Sequence, residues 1–172
     1  ARNYDKDDCI LLYGHLDKQP PMDGWEENIE PFAPTYIGDK IYGRGSADDG
    51  YAIFTSVLAC SYLEENDIAH ARMLIIIEAC EESGSPDLPA HLDQLNNNLA
   101  TPLNDVSLVV CLDSGCLTYE HLWITRSLRG LLQINVDVRV LNQGTHSGGA
   151  GGIVPSAFHI VRELIDGIAG PK

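Results

Sequence analysis

Three unbroken apolar runs constrain this chain more than any other feature of it. Cys9 to Tyr13, Met73 to Ile77 and Leu108 to Leu112 are too short for buried helices and lack the alternation of a half-solvated strand. They read as strands buried on both faces, extending over residues 9–13, 72–79 and 106–112. Between them, apolar residues recur at helical spacing from Tyr51 to Leu63, with Asp48 and Asp49 at the N-terminus. Leu88 to Leu99 is a second helical stretch, ending in Asn96-Asn97-Asn98. Strands alternating with helices predict an α/β fold, with a mixed, mainly parallel sheet flanked by helices.

The pattern changes near Ser127. Leu132, Ile134, Val136, Val138 and Val140 alternate with polar residues, as in a strand with one solvated face. A glycine-rich stretch from Gly144 to Gly152 leads into an amphipathic helix over Ile153 to Ile168. The expected organisation is one domain over residues 1–126 and the start of a smaller α+β domain over 127–172. Within the first, Gly38-Asp39 between Thr35-Tyr36-Ile37 and Lys40-Ile41-Tyr42 is a two-residue hairpin signal.

The net charge is −14, from 25 acidic and 11 basic residues. That balance argues against a nucleic-acid partner or an anionic membrane surface, both of which need clustered Lys and Arg. No apolar run approaches the roughly 20 residues that cross a bilayer, and the polar N-terminus has no signal-peptide pattern. Four of the five cysteines lie in or beside apolar segments and none forms a CxxC pair, which fits small buried thiols in the cytoplasm.

The polar exceptions cluster at the ends of apolar runs and in loops entering helices, where open α/β sheets bind ligands. In Gly14-His15-Leu16-Asp17, alternation puts His15 and Asp17 on one face. A carboxylate there can orient an imidazole toward a metal, although an isolated HxD is more simply a solvated strand end. Gly43-Arg44-Gly45-Ser46-Ala47-Asp48-Asp49-Gly50 pairs two acids with glycines that let backbone approach a ligand. Capping of the following helix explains Asp49 well and the whole segment less well. Glu78-Ala79-Cys80-Glu81-Glu82 gathers like charges that repel unless compensated. Asp113 ends the third run, and His146 lies in the glycine-rich loop. One His with several carboxylates at successive strand ends suits zinc, manganese or cobalt better than calcium. Ser46 and Ser114 are not in a nucleophile elbow, and Cys80 has no evident His base.

In order and spacing, these five segments resemble the M20 metallopeptidase pattern, on its carnosine-dipeptidase-like dipeptidase and carboxypeptidase branch. Pro20, Gly24-Trp25, Pro31-Phe32 and Leu128-Arg129-Gly130 add to the likeness, which runs from Cys9 to about Ile168. The resemblance implies a zinc-exopeptidase-like catalytic domain begun by residues 1–126 and a lid and dimerisation domain begun by 127–172. It implies two divalent cations, zinc first with manganese or cobalt as alternatives. His15 and Asp113 would be ligands of the first, Asp48 the bridge, and Glu82 a ligand of the second. Asp17 would orient His15, Glu81 would be the general base, and His146 would polarise the substrate carbonyl across a homodimer interface.

The implied activity is hydrolysis of a dipeptide or a C-terminal peptide bond. An N-acyl amino-acid deacylase of the acetylornithine or succinyl-diaminopimelate type is the alternative within the fold, and a non-catalytic relative or fragment is the alternative outside it. Members commonly carry Lys after the two acids, where this chain has Gly50. They are also well over twice as long, and the second metal's last His lies far toward their C-terminus, together with the groups that grip a substrate carboxylate. The chain is therefore expected to be the N-terminal portion of a longer protein, holding one metal well, the second poorly, and catalysing little alone. Neither His121 nor His159 matches the missing ligand.

Overall fold

A computed structural model describes residues 4–98 and 103–170; the expected helix end at Leu99 lies outside them. The chain divides into two units, Ala1–Thr125 and Arg126–Lys172.

The first unit is built on a three-stranded parallel sheet in the order β4-β1-β5, with β1 (Tyr4–His15) between β4 (His70–Glu78) and β5 (Val106–Cys111). Each strand contains one of the three apolar runs. β1 also includes the polar stretch before Cys9, and its pairing with β4 shifts register between Asp5 and Cys9. Beyond that shift, Leu12 lies opposite Ile75 and Val110, and His15 lies opposite Glu78. The register therefore aligns the carboxyl ends of the three strands.

Helix α1 (Ala52–Glu65) packs on β1 and β4. Its contact face is small, with Ala52 and Ser56 one turn apart and both buried. Gly14 completes the fit, because a Cβ there would collide with the Cβ of Ala52 and stand 2.8 Å from Asp49 Oδ2. The outer face of α1 exposes Phe54 and Leu58, and on β5 Leu108 and Val109 are each 52% exposed. Burial on both faces, expected from the apolar runs, thus fails for β5. Helix α2 (Leu88–Asn98) precedes β5, and the predicted hairpin forms from β2 (Thr35–Ile37) and β3 (Lys40–Tyr42), with Gly38 at φ +63°. Of the cysteines, only Cys9 is buried; Cys111 and Cys116 are exposed, against the expectation of core thiols.

The second unit contains a single helical turn, α3 (Ser147–Ala150), and the longer α4 (Ala157–Ala169). The strand expected over Leu132–Val140 does not form: among the described residues, none of the second unit pairs in a ladder. Alternation can mark a face for burial, but a strand exists only where a second segment satisfies its backbone groups. Helix α4 begins later than expected because Val154 precedes Pro155, a position from which the α conformation is sterically disfavoured. No helix among the described residues is long and apolar enough to cross a membrane.

Candidate metal centre

Both ladders continue one residue past the strands, where Leu16 N donates to Glu78 O and Leu112 N to Tyr13 O, each at 2.8 Å. This extension brings Asp113 beside His15, whose side chain is fully buried. Its Nδ1 lies 3.2 Å from the Asp17 carbonyl oxygen and 3.3 Å from Asp17 Oδ1. Its Nε2 faces Asp48 Oδ1 at 3.2 Å, Asp113 Oδ1 at 3.5 Å and Glu81 Oε2 at 3.9 Å. Two groups of candidate ligand atoms share this ring: His15 with Asp48 and Glu82, and His15 with Glu81 and Asp113, each set within 4.8 Å.

Surrounding bonds fix these side chains. Asp17 accepts from the backbone N–H of Glu81 at 3.1 Å and of Glu82 at 2.9 Å, pinning the 3₁₀ turn (Glu81–Ser83) against the exit of β1. Gly84, left-handed at φ +87°, closes that turn. Asp49 is fully buried and accepts from His15 N at 3.0 Å and from Ala52 N at 3.3 Å. It thus caps α1, as its position suggests, and also joins the helix to the end of β1. Glu82 Oε2 accepts from Gln19 Nε2. Glu78 is buried and accepts from Tyr13 Oη and, at 2.9 Å, from Ser85 Oγ. Burial, followed by the Glu78 bond and charge, pushes the Tyr13 phenol up.

The electrostatics are those of crowded carboxylates around one imidazole. Burial alone would depress His15, but Asp113, Glu81, the Asp17 carbonyl and Asp49 outweigh it and hold its pKa above the ordinary 6.5. Glu81 is raised by burial and by Asp113, Glu82 and Asp17, with His15 pulling the other way. Asp113 is raised by burial and by Asp48 and Asp49, again against His15. Asp17 runs opposite: burial would raise it, but the N–H groups of Glu82 and Glu81 hold its carboxyl low.

These residues fit a divalent cation. With Nδ1 engaged by Asp17, Nε2 faces three carboxylate oxygens, which repel one another unless a positive charge, a proton on Nε2 or a metal ion, lies among them. Nε2 makes no hydrogen bond, and Glu82 Oε1 is also buried without a partner. The separations around Nε2 bracket the ~3.4 Å expected between adjacent ligands of a tetrahedral zinc ion.

The model of "Peptidase family M20/M25/M40" matches residues 11–154. The chain belongs to this family. It is 30% identical over 156 residues to the Beta-Ala-His dipeptidase of Rattus norvegicus, covering 88% of this chain and 30% of that protein. It is 29% identical over 157 residues to the Cysteinylglycine-S-conjugate dipeptidase of Corynebacterium striatum, covering 91% and 34%. The crystal structure of human carnosine dipeptidase 1 overlaps 91% of this chain and 33% of its own, at 24% identity and a TM-score of 0.49. The chain thus spans about a third of the length of these relatives.

In this M20/M25/M40 chain, His15, Asp17, Asp48, Glu81, Glu82 and Asp113 converge at the strand ends. His146 belongs to the second unit, where it caps α3 through Nδ1, which accepts from Gly148 N at 3.1 Å. His121 pairs with Thr118 Oγ1 at 3.4 Å, outside the cluster. Sequence reasoning missed the linking role of Asp49, the bonds to Glu78, and Lys18 and Gln19. Gly14 was the available signal for Asp49, since a residue without Cβ at a strand end marks a close approach.

Proposed function

We propose that this chain carries the metal-binding part of a metal-dependent peptidase acting on dipeptides or C-terminal residues. Membership of the family and the names of the two dipeptidase relatives support the reaction class. The observation that carries the metal reading is the buried, unbonded Nε2 of His15 facing Asp48, Asp113 and Glu81.

In this reading the chain contributes to a centre for two cations, zinc first. His15, Asp48 and Asp113 would hold one, and Asp48 and Glu82 would contribute to the second. Bound cations supply Lewis acidity toward the amide carbonyl and lower the pKa of water, to about 7 in the best zinc sites. Asp17 keeps the His15 proton on Nδ1 and so leaves Nε2 free to bind metal. Glu81, held beside this cluster with Oε2 3.9 Å from His15 Nε2, would take a proton from the attacking water and return it to the leaving amine. With Nδ1 accepting from Gly148, the neutral His146 ring carries its proton on Nε2, the form that donates to a carbonyl oxygen. The reading includes a peptide substrate, a homodimer, a cytoplasmic setting, and no nucleic-acid or membrane partner.

The test is metal content after dialysis against limiting zinc. Wild type is expected to retain at least one equivalent and Asp48→Asn none. A wild type that retains neither zinc nor manganese, here and within a full-length relative, would end the hydrolase reading.

A further inference from the structure

Asp48 is the least supported of the clustered acids. Its side chain is 64% exposed, and its close contact among the described residues is His15 Nε2, 3.2 Å from Oδ1. What fixes it is the backbone on its C-terminal side. There Lys18 Nζ donates to the Asp49 carbonyl oxygen, and it also donates to Leu16 O at 2.7 Å and Asp17 O at 3.4 Å. An ammonium has three protons to give, and these contacts join the exit of β1 to the loop that carries Asp48.

The loop is shaped around this side chain. Gly45, at φ +79°, has no Cβ where one would overlap Cδ and Cε of Lys18. A Cβ on Gly50 would stand 2.5 Å from the Gly45 carbonyl oxygen, so the turn closes only with glycine there. Lys18 is half-buried within it. A lysine that merely balanced acidic charge could reach into solvent from many positions, whereas this one fills a groove that two glycines leave open.

We infer that Lys18 is a positioning residue for the metal centre, bracing the Gly43–Gly50 loop so that Asp48 stays opposite His15. The inference rests on the metal-centre reading above. Removing such an outer partner weakens metal binding by roughly 10- to 100-fold.

The experiment measures zinc affinity by competition with a chromophoric chelator, together with melting of the metal-free chain, for wild type, Lys18→Met and Lys40→Met. Lys18→Met keeps the stem and removes the charge. Lys40→Met removes the same charge from an exposed lysine lying over the Tyr119 ring. Lys18→Met is expected to lose roughly 10- to 100-fold in affinity with metal-free melting unchanged, and Lys40→Met to bind like wild type. Equal affinity of Lys18→Met and wild type overturns the inference and leaves the metal centre standing. So does an equal loss in Lys40→Met, which would make the effect one of net charge. If Lys18→Met also melts early, Lys18→Arg decides: recovered affinity supports the brace, and affinity as weak as that of Met overturns it. A wild type that holds neither zinc nor manganese, here and within a full-length relative, ends both readings.

Discussion

The loops at the carboxyl ends of β1, β4 and β5 and the stretch from Arg126 to Val140 are both largely outside regular secondary structure, yet they differ in what holds their backbone. In the first, Asp17 holds two backbone N–H groups, Asp49 holds two more, and Lys18 spans two loops. In the second, Leu128 and Leu131 are more than four-fifths exposed, and no ladder forms. Irregular backbone is fixed where its polar groups find partners, and an apolar pattern without a partner fixes nothing. If that distinction holds, substitutions in the first region are costly in separable ways and those in the second cost little.

The largest effect is expected at Glu81. Glu81→Gln keeps shape and removes the proton acceptor, so dipeptide hydrolysis by a full-length protein carrying this segment should fall about 10²- to 10⁴-fold. Zinc content should stay at the wild-type level. Loss of zinc along with activity would make Glu81 a ligand, as its place in the set with His15 and Asp113 also allows.

Asp49→Ala comes next, and its effect is on stability. It strands two N–H groups where β1 meets α1, each costing about 1–3 kcal/mol when left unsatisfied. The unfolding free energy read from urea titration should fall accordingly, by far more than the ~0.5 kcal/mol of an ordinary surface change such as Asp23→Ala. A loss of that surface size for Asp49→Ala would mean that the junction holds without its carboxylate.

The effect of pH is smaller and has a definite sign. His15, Glu81 and Asp113 have raised pKa values in the metal-free fold, so each binds its proton more tightly folded than unfolded. The His15 contribution to metal-free stability is full below 6.5 and is lost as pH rises through its folded value. Glu81 and Asp113 likewise favour the fold less as pH rises through theirs. Asp17 has the opposite sign: its contribution is present above the ordinary Asp range and is lost as pH falls through its lowered value. Zinc must displace the retained protons, so its affinity should rise with pH, up to about tenfold per unit for each proton released. Calorimetry in two buffers of different ionisation enthalpy counts those protons, and a count of zero would mean that His15 is already bare.

Legibility in the sequence follows the same division. The three strands were readable because each apolar run finds its neighbours within the chain, and their ends marked His15, Glu78 and Asp113 through position alone. Asp17 was readable through strand alternation. Lys18 was not, because nothing in Asp17-Lys18-Gln19 says that the side chain folds back onto Asp49 and under Gly45. Gly50 stood out as a departure from the family pattern, and its physical counterpart is this lysine, whose Nζ lies 3.6 Å from where a Gly50 Cβ would sit. The alternation over Leu132–Val140 was legible as a pattern and misleading as structure, since pairing is a property of two segments and the sequence displays one.

The smallest effect is expected in that segment, and it puts the distinction to its sharpest use. Proline removes an N–H and so breaks a ladder bond wherever one exists. Leu12 lies between Ile75 and Val110 in the central strand, and Leu12→Pro should abolish the cooperative transition of this chain. Ile134→Pro breaks no ladder bond and should change the unfolding free energy read from urea titration by no more than about 0.5 kcal/mol. If Ile134→Pro instead cost several times that, the alternating residues would be paired in solution, and the irregular backbone of the second unit would be fixed by partners after all.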